Sequence, residues 1–347
     1  MDVRLLRPRV LDELSRAFAE LEAGQTVAVL PPSDVEVCRT AAPATGGPWI
    51  GVTSSGSTGS PKLVWRSWAG LKGAASRQPW VRRWVWASPF DPWSFAGVQV
   101  AVQAWANAGR AISLHDDWPA LWRTLREERV DALSATPTFF DLLLQNEPAE
   151  GAAWAPRQVS LGGEPLRPAL GQRLSARWPS ARFAVIYAAA EFGVLLKTHR
   201  LDGWYETDAL DRRWVEWRVQ DGALEVRDAQ GWRSTGDQVE VRGGLMRVIG
   251  RADQVANVAG TKVNLAEIGF LAEEVSGVAR AVAVAEPNPV TGQVVCLRFA
   301  PAPGEDPAEL RRRLEAHLFP RLPKAGWPRD WVVDELAPAQ NAKRRVR

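Results

Sequence analysis

Residues 9–23 carry apolar side chains at helical spacing, and TVAVLP directly after them is an unbroken apolar run that predicts a buried strand. PWIGV, at 48–52, predicts a second buried strand, and LVWRSW, at 63–68, a half-buried extended one. From residue 84 to 187 the pattern alternates. RAISLH, VDALSAT, RQVSLGG and FAVIYA predict strands; PALWRTLREE, TFFDLLLQ and LRPALGQRLSARW predict the helices between them. Such alternation implies βαβ units and a mostly parallel, helix-covered sheet. Residues 203–250 change character: WVEWRVQ, GALEVRD, QVEVRG and LMRVIG are short strands separated by glycine turns, a small β-rich subdomain. Beyond Arg251, the helices VNLAEIGFLAEEV and PAELRRRLEAHLF flank the strands ARAVAVAE and QVVCLRFA. The expected fold is α/β, with a large N-terminal domain over 1–250 and a small α+β C-terminal domain over 251–347.

Composition narrows the function classes. The 347 residues are 46% apolar and 24% charged, which suits two or three globular domains. Eighteen tryptophans scatter without a repeat and are expected to pack cores and pockets. The net charge is +3, and the basic excess is concentrated in the terminal KRRVR, which argues against a nucleic-acid-binding face. Cys38 and Cys296 stand far apart, so no disulfide framework is expected. No apolar run reaches the roughly eighteen residues of a membrane span. The segment MDVRLLRPRVLDEL lacks the apolar core of a secretory signal, so a cytoplasmic location is expected. His115, His199 and His317 lack ligand spacing, which excludes an ordinary zinc site. GxSxG, Walker and GxGxxG patterns are absent.

The stretch TSSGSTGSPK, at 53–62, lies between two predicted strands, so a flexible tether is a poor explanation for its hydroxyl groups and glycines. It ends in lysine in a chain with six lysines and thirty-seven arginines. Backbone amides, hydroxyls and one cation in a loop suit phosphate oxygens. YAAAEFG at 187–193, STGD at 234–237, IGRADQVANVAGTKVNLAEIG at 249–269 and NAK at 341–343 follow in order. Together these motifs resemble the adenylate-forming superfamily of acyl-CoA synthetases, aryl- and amino-acid-adenylating enzymes and luciferases. The resemblance spans nearly all of the chain from about residue 50.

That resemblance implies activation of a carboxylate by ATP, giving acyl-AMP and pyrophosphate, then transfer to a thiol of CoA or of a carrier protein's phosphopantetheine. It implies an acid–thiol ligase whose C-terminal domain is mobile. The substrate carboxylate is then the nucleophile, consistent with the lack of a protein nucleophile. By position, Thr53, Ser54, Ser55, Gly56, Ser57, Thr58, Gly59 and Lys62 match the phosphate loop. Tyr187 matches the residue that stacks on adenine, Ala190 a phosphate contact, Glu191 the Mg²⁺ ligand, Asp237 the ribose acceptor and Arg251 a ribose and phosphate contact. LGGEPL supplies Gly162 to the acyl pocket and Gly163 and Glu164 to the adenine edge. Asp253 matches the hinge, Gly260 the thiol tunnel and Lys343 the lysine that bridges carboxylate and phosphate.

The chain also departs from the family. Ala188 and Ala190 stand where the family has glycine and threonine, and Ala342 where it has glycine. The missing threonine hydroxyl removes one hydrogen bond to phosphate, worth about 0.5–1.5 kcal/mol or more to a charged group. Members carry a longer segment before the phosphate loop, so a reduced first subdomain is expected. SPFDPWSFAG, at 88–97, occupies the acyl-gate position, with Trp93 or Phe95 as an apolar gate that favours an aromatic or hydrophobic acid. Asp91 could pair with a substrate amine, but its spacing to Gly109 does not fit the amino-acid-activator pattern. An amino-acid activator feeding a carrier protein, and a degenerate nucleotide-binding relative, remain the alternatives.

Overall fold

A computed structural model describes residues 3–333, apart from 34, 39, 55–60, 76, 116, 149–153, 212–214, 229–230, 252–254 and 303. Contacts group the chain into two units: residues 1–164 with 177–199, and residues 165–176 with 200–347. The boundary expected at 250/251 lies inside the second unit, at the end of the strand Leu245–Arg251.

The first unit contains two sheets. In the smaller, Val3–Leu6, Thr26–Val29 and Trp49–Ser54 run parallel, and Lys62–Ser67 pairs antiparallel to the last of them. The larger has six strands in the order Gly193–Thr198, Arg182–Ala189, Gln158–Gly162, Ala132–Ala135, Val85–Ser88, Arg110–Ser113. All its pairings are parallel except that of the edge strand Gly193–Thr198. This is the mixed, mostly parallel α/β sheet that the alternating periods predict. Its central strands are largely buried, and the four residues of Ala132–Ala135 are all buried. Leu14, Phe18 and Leu21 of the first helix join Ile50, Val52, Trp68, Trp86 and Phe95 in one apolar cluster.

The second unit contains an antiparallel five-stranded sheet in the order Tyr205–Glu206, Leu245–Arg251, Gly231–Arg242, Ala223–Asp228, Trp217–Gln220. The hairpin Val255–Val258/Thr261–Asn264 follows. Val278–Asn288, Gly292–Pro301 and Asp330–Val333 then form a three-stranded sheet. Helices Leu265–Glu273 and Pro307–Leu318 bury Ile268, Leu271, Leu310 and Leu314 against its Val295, Leu297 and Phe299. Asn264 and Asp306 cap the two helices by accepting backbone N–H bonds, as helix N-termini require.

Candidate active site

In the first unit, Ser54 pairs with Lys62 at the open end of two antiparallel strands. Ser55, Gly56, Ser57, Thr58 and Gly59 lie outside the described residues. Both arms that lead to them are pinned. The Cys38 N–H donates to the Pro61 carbonyl, and the Leu63 N–H to the Cys38 carbonyl, each at 2.9 Å. The Thr53 N–H and hydroxyl both donate to the Trp93 carbonyl, at 2.8 and 3.1 Å. The base of the expected phosphate loop and the expected acyl gate thus share one joint. The Lys62 side chain is exposed, which leaves its ammonium accessible to an anion.

Trp93 is half-buried against the main apolar cluster, whereas Phe95 is a fully integrated member of it. Of the two gate candidates, Trp93 has the more open position. The turn that presents it is tightly built. The Ser94 N–H and hydroxyl donate to the Asp91 carbonyl, and the Ser94 Oγ accepts from the Gly97 N–H at 3.0 Å. A Cβ at Gly97 would lie 2.1 Å from the Asp91 carbonyl oxygen. Gly97→Ala is therefore expected to cost about 1–3 kcal/mol, the usual range for forced overpacking, and to weaken use of the acid by displacing Trp93. Thermal unfolding and an acid titration check this; lost stability with unchanged acid dependence would separate the turn from the acyl pocket.

Gly162 ends its strand with the Ile186 carbonyl 3.2 Å from where a Cβ would stand, and Gly163 turns the chain at φ +83°. The left-handed φ at Gly163 is one that glycine adopts at little cost. The next side chain has another task. The Glu164 carboxylate accepts from the Thr138 N–H at 3.1 Å, at the start of helix Pro137–Gln145. An acidic group suits the positive end of a helix, so Glu164 offers a nucleotide its backbone more readily than its carboxylate.

Tyr187 is buried on the strand Arg182–Ala189. Ala190 belongs to the main apolar cluster, and Ala188 packs against that cluster. The methyl group at the family's threonine position is thus accommodated by packing. Glu191 follows at the turn and is exposed, and the turn is closed by the Phe192 N–H donating to the Ala189 carbonyl at 3.1 Å. Sequence reading passed over Arg66, whose guanidinium donates to the carbonyls of Glu191 at 2.7 Å and Phe192 at 3.3 Å. Burial pulls the Arg66 pKa below the ordinary arginine value, and the Glu191 charge acts against that shift. The only signal for Arg66 in the sequence is a charge in a half-buried strand.

In the second unit, Asp237 and Arg251 sit opposite each other on neighbouring strands, with Nη1 3.3 Å from Oδ1. Arg251 Nη1 also donates to the Thr235 carbonyl at 3.1 Å, and the Asp237 N–H donates to Thr235 Oγ1 at 3.2 Å. A Cβ at Gly236 would lie 2.5 Å from Arg251 Nη2, so the glycine of STGD makes room for this guanidinium. The structure brings together two residues that the sequence separates by fourteen positions. Gly260, at φ +81°, follows Ala259, at φ +48°, at the tip of the hairpin, where two successive positive φ values fit a type I′ turn. Nothing lies within 4 Å of a Cβ built on Gly260. Asp253 and Lys343 lie outside the described residues.

Burial pushes the Cys296 thiol up to about 11, the setting of an inert thiol. Among the described residues, no group of three or more His, Cys, Asp or Glu side chains could hold a metal ion. One exposed carboxylate, Glu191, suits Mg²⁺, which takes one or two carboxylates and fills its shell with substrate phosphates and waters. No helix among the described residues is long and apolar enough to cross a membrane.

The model of the AMP-binding enzyme family matches residues 15–242. Over 249 residues the chain is 27% identical to the phenyloxazoline synthase MbtB of Mycobacterium tuberculosis, covering 58% of this chain and 18% of that protein. It is 25% identical over 317 residues to the human mitochondrial acyl-coenzyme A synthetase ACSM5, covering 76% of this chain and 54% of that one. The chain thus spans about half or less of these curated relatives. An E. coli MenE variant with bound OSB-AMS superposes over 96% of this chain and 85% of its own, with a TM-score of 0.69 at 16% identity. The amide bond synthetase McbA of Marinactinospora thermotolerans covers 96% of this chain and 76% of its own, with a TM-score of 0.61 at 19% identity. At such identities these two likenesses bear on the fold alone. With a family match over well more than half its length, the chain belongs to the AMP-binding enzymes of the adenylate-forming superfamily.

Proposed function

We propose that this protein activates a carboxylic acid with ATP as an acyl-adenylate and transfers the acyl group to a thiol, as an acid–thiol ligase. The observation that carries this reading is the retained Asp237–Arg251 pair, an acceptor and a cation fixed side by side on adjacent strands. A carboxylate with two acceptor oxygens fits a ribose diol, and a guanidinium beside it fits a phosphate. In this reading Lys62 and the hydroxyl- and glycine-rich sequence 53–59 supply donors for the phosphates, and Tyr187 supplies the aromatic face for adenine. Bound Mg²⁺, held by Glu191, would supply charge neutralisation at the phosphate oxygens. The remaining catalytic work is positioning and electrostatic stabilisation, with no covalent step at the protein.

The domain over 251–347 is proposed to rotate about Asp253. Lys343 then serves adenylation, and the hairpin tip at Gly260 serves thiol transfer, with CoA or a carrier-protein phosphopantetheine as acceptor. The half-buried Trp93 favours an aromatic or hydrophobic acid. Ala190 supports a second reading, a relative that binds nucleotide without turnover, because its methyl group offers phosphate no hydroxyl. Pyrophosphate release across a panel of aryl, acyl and amino acids, with and without CoA, tests the proposal. Release dependent on a hydrophobic acid supports it; confirmed ATP binding with no release for any acid puts the second reading ahead. Asp237→Ala is expected to raise the half-saturating ATP concentration about tenfold or more, since a hydrogen bond to a charged acceptor contributes roughly 1.5–3 kcal/mol. Initial rates against ATP concentration check it.

A further inference from the structure

We propose that Arg66 is a positioning residue that fixes the turn carrying Glu191 and couples it to the strand leading out of the phosphate loop. The inference rests on the reading of Glu191 as the Mg²⁺ ligand. The geometry is that of a clamp. The two terminal nitrogens of one guanidinium hold the carbonyls of Glu191 and Phe192, two successive peptide units of the turn. The planar fork of arginine makes such a two-point contact where lysine cannot. Gly193 lies directly behind it. A Cβ there would approach Arg66 Nη2 to 2.6 Å, so the glycine leaves the space that the guanidinium fills.

The location of Arg66 gives the clamp its second role. Lys62 and Arg66 are the first and fifth residues of the strand Lys62–Ser67, so they share a face, about 13 Å apart at the usual strand rise. The same strand pairs with Trp49–Ser54 along its full length, with Ile50 opposite Arg66 and Ser54 opposite Lys62. One rigid two-stranded arm therefore carries the phosphate-loop base at one end and the clamp on the metal turn at the other. The turn itself bridges Arg182–Ala189 and Gly193–Thr198, which belong to the other sheet of this unit. Arg66 ties the two sheets together beside Glu191.

The test is the free-Mg²⁺ dependence of ATP–pyrophosphate exchange and of equilibrium ATP binding by the full chain, with thermal unfolding alongside, measured for Arg66→Ala, Arg66→Lys, Glu191→Gln and the double variant Arg66→Ala/Glu191→Gln. Arg66→Ala is expected to raise half-saturating Mg²⁺ about tenfold, the lower end for losing a group that orients a metal ligand. Arg66→Lys should recover part of that loss, because an ammonium reaches one carbonyl and not both. The Arg66→Ala effect should largely vanish in the Glu191→Gln background, since coupled residues are non-additive. A shift with Glu191→Gln but none with Arg66→Ala or Arg66→Lys overturns the clamp and leaves the metal reading intact. Fully additive effects overturn it as well, as does a change confined to thermal stability. No shift with Glu191→Gln removes the metal reading and the clamp with it. Should Arg66→Ala not fold, the Arg66→Lys series and its double variant with Glu191→Gln decide the same question.

Discussion

Lys343→Ala is expected to lower acyl-AMP formation by a factor on the order of 10²–10³, the usual loss for one preorganised group at developing charge. It should leave thiol transfer from supplied acyl-AMP nearly unchanged. The ammonium is proposed to act between carboxylate and α-phosphate, where charge builds only during adenylation. Gly260→Trp should have the opposite profile, with intact adenylation and impaired thiol transfer. Its backbone at φ +81° disfavours any side chain, so its folding is checked by thermal unfolding, although the space around it is open. Each variant is assayed on both half-reactions. Equal losses in both steps for Lys343→Ala would remove the domain rotation from the proposal.

Glu191→Gln is expected to reduce Mg²⁺-dependent exchange by roughly 10²-fold at sub-saturating metal, with little change in thermal stability. The substitution keeps shape and removes charge. Glu191 is exposed, and the clamp on its turn engages its carbonyl, so the fold does not depend on the carboxylate. Exchange at wild-type rates with wild-type Mg²⁺ dependence would show that the carboxylate is not a ligand.

The elements that sequence reading found are those whose periodicity is undisturbed. The strand at RQVSLGG and the helix at TFFDLLLQ fall within a residue or two of the structure's Gln158–Gly162 and Pro137–Gln145. The helix Phe95–Trp105 was passed over for a physical reason. Seven of its eleven residues are buried, so it presents no polar stripe, and VQVAV alternates like a strand. Val3–Leu6 is a short edge strand whose pairing partner lies twenty-three residues away, which no local pattern reveals. The site was legible only as motifs. Asp237 and Arg251 were named separately, and antiparallel pairing makes them neighbours. Glu164 falls at the adenine edge by motif, and no motif shows that its carboxylate also accepts from the first turn of a helix that begins twenty-seven residues earlier. Arg66 escaped notice because its partners are backbone carbonyls, which carry no residue signature.

Adenylation and a phosphorylating route to the same thioester differ in where one oxygen goes. If the carboxylate attacks the α-phosphate, its oxygen becomes the bridge of the acyl-AMP and stays on AMP when the thiol takes the acyl group. The decisive measurement is therefore mass spectrometry of the nucleotide product after turnover of an acid labelled with ¹⁸O at both carboxylate oxygens. AMP carrying one ¹⁸O, together with unlabelled pyrophosphate, is the predicted result. ADP with labelled phosphate, or AMP without label, would contradict activation of a carboxylate as its adenylate.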